Sequence, residues 1–209
     1  MPRYDAVLFD LLTALIDSWS LWNAVAGDAD AGRRWRAAYL RNTYETGAYR
    51  PYETLVAEAA SEVGLDRRLA GALADRYGEL EPWPDVVPIL GGLAAAGLKL
   101  GIVTNCSRRL GRIAAGRIDV AFACVVTAED AGCYKPDPRA YSLALDQLGV
   151  APGRCLFVAG SDYDLIGTAQ VGIATYWHDR VGMAAPRSLP APLAHERGLA
   201  ALPGWCGVA

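Results

Sequence analysis

Two aspartates, a lysine and a hydroxyl stand just past apolar runs, where they could meet. Asp10 ends the run Ala6-Val7-Leu8-Phe9, and Thr104 and Asn105 follow Leu100-Gly101-Ile102-Val103. Asp164 lies beyond the run Cys155 to Val158, in LFVAGSDYD, with Ser161 between, and Lys135 stands in CYKPDPRAY. If the runs are parallel strands, their C-terminal ends open on the crevice where α/β sheets bind ligands. An ionised acid at a buried strand end needs a cation or hydrogen-bond donors, and Lys135 can supply the charge. Such a carboxylate suits covalent catalysis. Asp10 reads as a nucleophile, or as a structural acid capping the turn after its strand. Asn105 and Ser161 read as site residues or as caps of the helices that follow, and Thr104 can serve both purposes.

The elements that must position these groups are legible from periodicity. Residues 4–10 form a first strand. From Asp17 to about Glu81 the pattern is helical, with Trp19, Trp22 and Val25, then Trp35, Tyr39 and Leu40, at helical spacing. The stretch EPWPD, Glu81 to Asp85, is a hinge stiffened by Pro82 and Pro84. Helices are predicted over 86–96, 107–115, 138–149 and 164–171, and strands over 99–104, 120–126, 155–159 and 174–177. The tail from Met183 is rich in Pro, Ala and Gly, with one helical turn near 192–200. Strand–helix alternation predicts an α/β fold, a Rossmann-like parallel sheet with helices on both faces. Residues 1–16 and 82–209 make the core domain, and 17–81 a helical cap inserted after strand one.

The order of motifs resembles the haloacid dehalogenase-like (HAD) superfamily over nearly the whole chain. Asp10 matches its first motif, Thr104 its second, Lys135 its third and Asp164 its fourth. HAD phosphatases usually carry a second aspartate two residues after the nucleophile, as general acid and base; here that position is Leu12. They also place a magnesium-binding acid where this chain has Gly160. The L-2-haloacid dehalogenase branch lacks both acids and needs no metal, because a halide leaves without a proton. YKPDPRAY is similar to its lysine loop, including Tyr141, and WRAAYLR to its cap segment, whose arginine maps to Arg36. VTNCS resembles its Ser-Asn pair, giving Thr104 and Asn105. The chain departs from that branch with Thr13-Ala14 for Gly-Thr, Ala159 for a serine and Ser161 for an asparagine.

The resemblance implies metal-independent hydrolysis of a small carboxylic acid, with 2-haloacids as the leading class. Asp10 would displace the halide, Arg36 and cap aromatics would receive it, and Lys135 would orient Asp10. Water activated near Asp164 and Lys135 would hydrolyse the aspartyl ester. Thr104, Asn105, Tyr141, Ser161 and Leu12 make up the implied substrate-binding set. No cofactor is implied, although Asp10 and Asp164 leave open a weak Mg²⁺ site. A HAD phosphatase, a related metal-free hydrolase and a catalytically silent protein on this fold are the alternatives; Ala14, Ala159 and Gly160 keep the last open. Arg36, among Arg33, Arg34 and Arg41, also fits a solvated helix face, and Tyr141 also fits core packing.

Composition narrows the field. The chain has 209 residues, 53% hydrophobic and 21% charged, with a net charge of −3. That balance fits a globular protein and argues against nucleic acid as the main partner. No apolar run approaches ~18 residues, so no membrane partner is expected. Strand one starts almost at once, leaving no room for a signal peptide. The five cysteines lack metal-ligand spacing and read as reduced, mostly buried thiols of a cytoplasmic protein. His178 and His195 read as surface residues. A homodimer is left open.

Overall fold

The computed structural model describes residues 1–182 and 188–208. Six strands form one sheet: β1 (Ala6–Phe9), β2 (Lys99–Thr104), β3 (Cys124–Thr127), β4 (Cys155–Ala159), β5 (Ala174–His178) and β6 (Ala194–Glu196). Their order is β3-β2-β1-β4-β5-β6 and every neighbouring pair is parallel. The sheet is α/β and Rossmann-like, as the alternation predicts. Both β1 and β4 are buried along their whole length, which is why they read as unbroken apolar runs rather than alternating ones. The chain reverses its winding between β1 and β4, and such a switch point opens a crevice at the strands' C-terminal ends. Phe9 pairs with Ile102 on one side and Val158 on the other, so Asp10 emerges at that point.

Between β1 and β2 the chain forms α1 (Ser18–Ala26), α2 (Ala29–Thr46), α3 (Tyr52–Glu62) and α4 (Leu69–Asp75), a 3₁₀ turn at Tyr77–Glu79, and α5 (Val86–Ala95). Asp17 caps α1 by accepting from the Ser20 amide, and Asp28 caps α2 by accepting from that of Ala31. The stalk of this segment is backbone-paired. Ile16 bridges Pro82 in antiparallel fashion, Asp17 N–H donates to Glu81 C=O (3.0 Å), and Trp83 N–H donates to Leu15 C=O (3.0 Å). A second tie lies at the far end of α2, where Ala48 bridges Cys133 in the lysine loop. Inside, Trp22 packs on Trp35 (centroids 4.6 Å apart) and Tyr39 (5.3 Å), and Tyr39 on Tyr52 (5.2 Å). These aromatics share one apolar cluster with β1 and β2.

After β2 come α6 (Arg108–Ala115), α7 (Ala128–Ala131), α8 (Pro138–Leu148), α9 (Asp164–Val171) and α10 (Leu202–Trp205). Three local expectations change. The strand expected over 120–126 is shorter and later, because pairing with β2 begins at Cys124. The short α7 was hidden in the lysine loop, although Thr127 and Asp130 form a reciprocal capping box. The helical turn expected near 192–200 is instead β6, where Ala194 pairs with Tyr176. Residues 183–187 of the Pro-, Ala- and Gly-rich tail lie outside the described residues. Among the described residues no helix is long and apolar enough to cross a membrane. All five cysteines are free and buried.

Gly32 sets how closely α2 lies on α1. A Cβ there would stand 2.5 Å from Asn23 Cα and 2.8 Å from Asn23 N, both backbone atoms. Alanine would gain about 1 kcal/mol in helix propensity, whereas overpacking costs about 1–3 kcal/mol, and here only a backbone shift relieves it. Gly32→Ala is expected to lower stability in urea unfolding and to displace α2, reducing activity as well.

Candidate active site

Asp10 sits buried at the end of β1, and its two oxygens face different partners. Oδ2 accepts from the amides of Thr13 (2.9 Å) and Ala14 (3.3 Å) and from the Thr13 hydroxyl. Oδ1 accepts from Lys135 Nζ at 2.8 Å. The carboxylate therefore both caps the turn and faces the lysine. Thr13, which was not singled out as a site residue, supplies the hydroxyl; its place one residue before the family's position does not prevent contact with Asp10.

Lys135 Nζ also lies 2.9 Å from Asp164 Oδ1, so one buried ammonium is shared by two buried carboxylates. Tyr141, fully buried on α8, donates its hydroxyl to the same Asp164 oxygen (2.6 Å). The acids are not equivalent. Burial pushes the Asp10 pKa up, but the Lys135 charge and the hydrogen bonds from Lys135 and Thr13 overcome this and hold it below the ordinary 3.8. Asp164 has fewer donors, and burial together with the Asp10 charge leaves it above 3.8 despite Lys135 and Tyr141. Burial disfavours the Lys135 ammonium, but the two carboxylates more than restore it and raise its pKa.

The lysine is fixed from behind. Asn105 Nδ2 donates to Lys135 C=O (3.1 Å), and Lys135 N–H donates to Asn105 Oδ1 (2.7 Å). Tyr39 on α2 donates its hydroxyl to Asn105 C=O (2.6 Å). Asn105 thus anchors the lysine loop, which leaves one of its amide hydrogens for a ligand. Thr104 Oγ1 is buried and makes no hydrogen bond of normal geometry.

A cavity of about 30 Å³ joins these groups, lined by Asp10, Leu12, Thr104, Asn105, Lys135, Ser161, Asp164 and Arg36. Arg36 is 1% exposed, which excludes the solvated-face alternative. Its guanidinium lies over the rings of Trp19 (4.5 Å) and Trp22 (5.5 Å). Nη2 donates weakly to Leu12 C=O (3.3 Å), while Nε and Nη1 are buried without a hydrogen-bond partner. A buried cation with orphaned donors beside a cavity is prepared for an anion. Tyr141 stands behind Asp164 rather than on the wall. Sequence reasoning missed Thr13, Tyr39, Leu40 and Tyr44, which also line the cavity. The signal was the spacing: Arg36, Leu40 and Tyr44 recur every fourth residue on α2, hence on one face.

Gly160 follows β4 where the loop after Asp10 passes. A Cβ there would meet Thr13 Oγ1 at 2.1 Å and Ala14 N at 2.3 Å. No acidic side chain fits at that position, and the ammonium stands between the two remaining acids. This donor set does not fit a magnesium ion. The expectation for His178 needs correction: it is fully buried at the end of β5, accepts from Arg180 Nε (3.1 Å), and has its pKa pushed down to about 4, first by burial and then by the Arg180 charge. His195 is about half exposed and pairs with Asp179.

The depressed Asp10 pKa carries a signed prediction. If activity needs ionised Asp10, the acid limb of its pH profile lies below the ordinary carboxylate range. Lys135→Met removes the cation, so the Asp10 pKa rises and the limb moves to higher pH, with residual turnover at least ~100-fold lower. An unshifted limb in a folded variant would exclude Lys135 from this role.

The model of the haloacid dehalogenase-like hydrolase family matches residues 4–172. The (S)-2-haloacid dehalogenase of Pseudomonas putida is 30% identical over 222 aligned positions, covering 98% of this chain and 97% of that protein. (S)-2-haloacid dehalogenase 1 of Pseudomonas sp. strain CBS-3 is 32% identical over 173 positions, covering 78% of this chain and 76% of that protein. A crystal structure of an L-2-haloacid dehalogenase superposes with a TM-score of 0.86 at 26% identity, covering 99% of this chain and all of that one. The chain belongs to the haloacid dehalogenase-like hydrolases.

Proposed function

We propose that the protein is a metal-independent 2-haloacid dehalogenase. The observation that carries this reading is the buried Arg36 guanidinium, with orphaned nitrogens, on the cavity that holds Asp10. Asp10 Oδ1, contacted by Lys135 alone, attacks the α-carbon in line; the carbon–halogen bond breaks and the halide leaves toward Arg36, Trp19 and Trp22. The substrate carboxylate is received by Thr104 Oγ1 and the free amide hydrogen of Asn105, with Leu12 and Leu40 along its apolar part. Residues 17–81 act as the cap that closes the site and excludes water from the displacement. Water then attacks Asp10 Cγ and gives a proton to Asp164. The bond from Cγ to the ester oxygen breaks, and that oxygen takes the proton back as the hydroxyl of a 2-hydroxy acid. The remaining proton leaves for solvent as the Asp10 carboxylate is restored.

Both departures from the phosphatase pattern fit this chemistry. A leaving halide needs no proton, so Leu12 in place of an acid costs nothing. The crowding at Gly160 removes a carboxylate that only a metal would need. The small cavity favours short acids such as chloroacetate and 2-chloropropionate.

Incubation with 2-chloropropionate, followed by mass spectrometry under denaturing conditions, is expected to show an ester on Asp10. Asp10→Asn should abolish halide release in freshly prepared protein, and EDTA should leave wild-type turnover unchanged. A strict magnesium requirement with phosphate monoesters as substrates would overturn the assignment.

Arg36→Lys keeps the charge but loses the planar fork and its contact with the two tryptophans. It is expected to cut halide release about 100-fold, on the scale of other single electrostatic groups in enzyme sites. Release at the wild-type rate would show that the halide is received elsewhere.

A further inference from the structure

Arg36, Leu40 and Tyr44 line one cavity from one face of α2, and the two ends of that stripe meet different groups. Arg36 lies on Trp19 and Trp22. Tyr44, two turns on, is fastened to the segment after β4. Its ring stacks on Tyr163 at 3.6 Å, 16° from parallel, and its hydroxyl shares a 3.2 Å hydrogen bond with Ser161 Oγ. Tyr163 and Ser161 flank Asp162 and lead directly to Asp164, the acid that must take a proton from water in the second half of the reaction.

We infer that Tyr44, acting with Ser161, is the positioning residue for the water that hydrolyses the ester on Asp10. The inference rests on the dehalogenase reading above and concerns only its second step. The hydrogen bonds from Tyr141 and Lys135 to Asp164 both fall on Oδ1, so the Oδ2 lone pairs are available for a proton. An ordered water needs two to four polar partners. The hydroxyls of Tyr44 and Ser161 supply two on the cavity that Asp164 also lines. Burial, followed by the charge of Asp164, keeps the Tyr44 phenol protonated, so it can hold a water but cannot deprotonate it. Alkylation of Asp10 displaces halide toward Arg36, at the other end of the stripe, and does not use the Tyr44 hydroxyl. The division of labour along α2 therefore separates the two chemical steps.

Tyr44→Phe keeps the stacked ring and removes only the hydroxyl. With 2-chloropropionate, kcat is expected to fall about tenfold or more, the scale of one lost hydrogen bond. KM should fall in parallel, because kcat/KM reports steps only through halide loss. Mass spectrometry should show the Asp10 ester accumulating in steady state, after a burst of one chloride per protein. Ser161→Ala should give the same signature by removing the partner hydroxyl. An unchanged kcat in both variants, or a fall in kcat/KM without accumulated ester, overturns the inference while the wild-type enzyme still turns over. A wild-type protein that releases no halide and forms no Asp10 adduct overturns the dehalogenase reading and this inference with it.

Discussion

One ammonium held between two carboxylates governs the structure around the crevice. Lys135 is contributed by a loop, Asp10 by the end of β1 and Asp164 by the start of α9, so three separate chain segments are drawn to one point. All three groups are buried, and removing the lysine would leave two carboxylates without compensation, which costs several kcal/mol. The arrangement has two acids to one base and therefore cannot be electrically even. The imbalance falls on Asp164, because the turn after β1 gives Asp10 additional donors that Asp164 lacks. The same interaction thus holds the Asp10 pKa below the ordinary carboxylate value and leaves that of Asp164 above it.

Most of the frame was legible in the sequence because the fold is simple at its centre. β1, β2 and β4 are buried parallel strands, so they appear as apolar runs, and their ends give Asp10, Thr104 and the Ser161–Asp164 segment. The edges were harder to read. β6 is three residues long and pairs on one side only, so its side chains carry no pattern that distinguishes it from a loop. His178 was misjudged because its burial comes from strand β5 and its partner Arg180, neither of which makes it look apolar.

The cavity was read less completely than the charged groups. Leu40 and Tyr39 resemble ordinary core residues, and Tyr44 a surface aromatic, unless Arg36 is taken as the first point of a face. Thr13 was noted only as a hydroxyl one place from its usual position. Its contact with Asp10 has a spatial basis: Gly160, lacking a Cβ, leaves the space that Thr13 Oγ1 occupies as the two loops pass. Asn105 reads from the sequence as a substrate ligand or a helix cap, whereas much of its side chain is spent holding the lysine loop. Sequence indicated which residues gather, but not which of their hydrogen bonds are already taken.

The tie between α2 and the lysine loop links cover and charge. Tyr134 N–H donates to Gly47 C=O (3.2 Å) and Tyr49 N–H to Gly132 C=O (3.0 Å), immediately before Lys135. A helical segment fastened to the loop that carries the cation cannot shift without disturbing that cation. The backbone pairing that holds the end of α2 therefore also fixes the approach of the ammonium to Asp10: the position of the helical segment and the position of the charge are one structural variable.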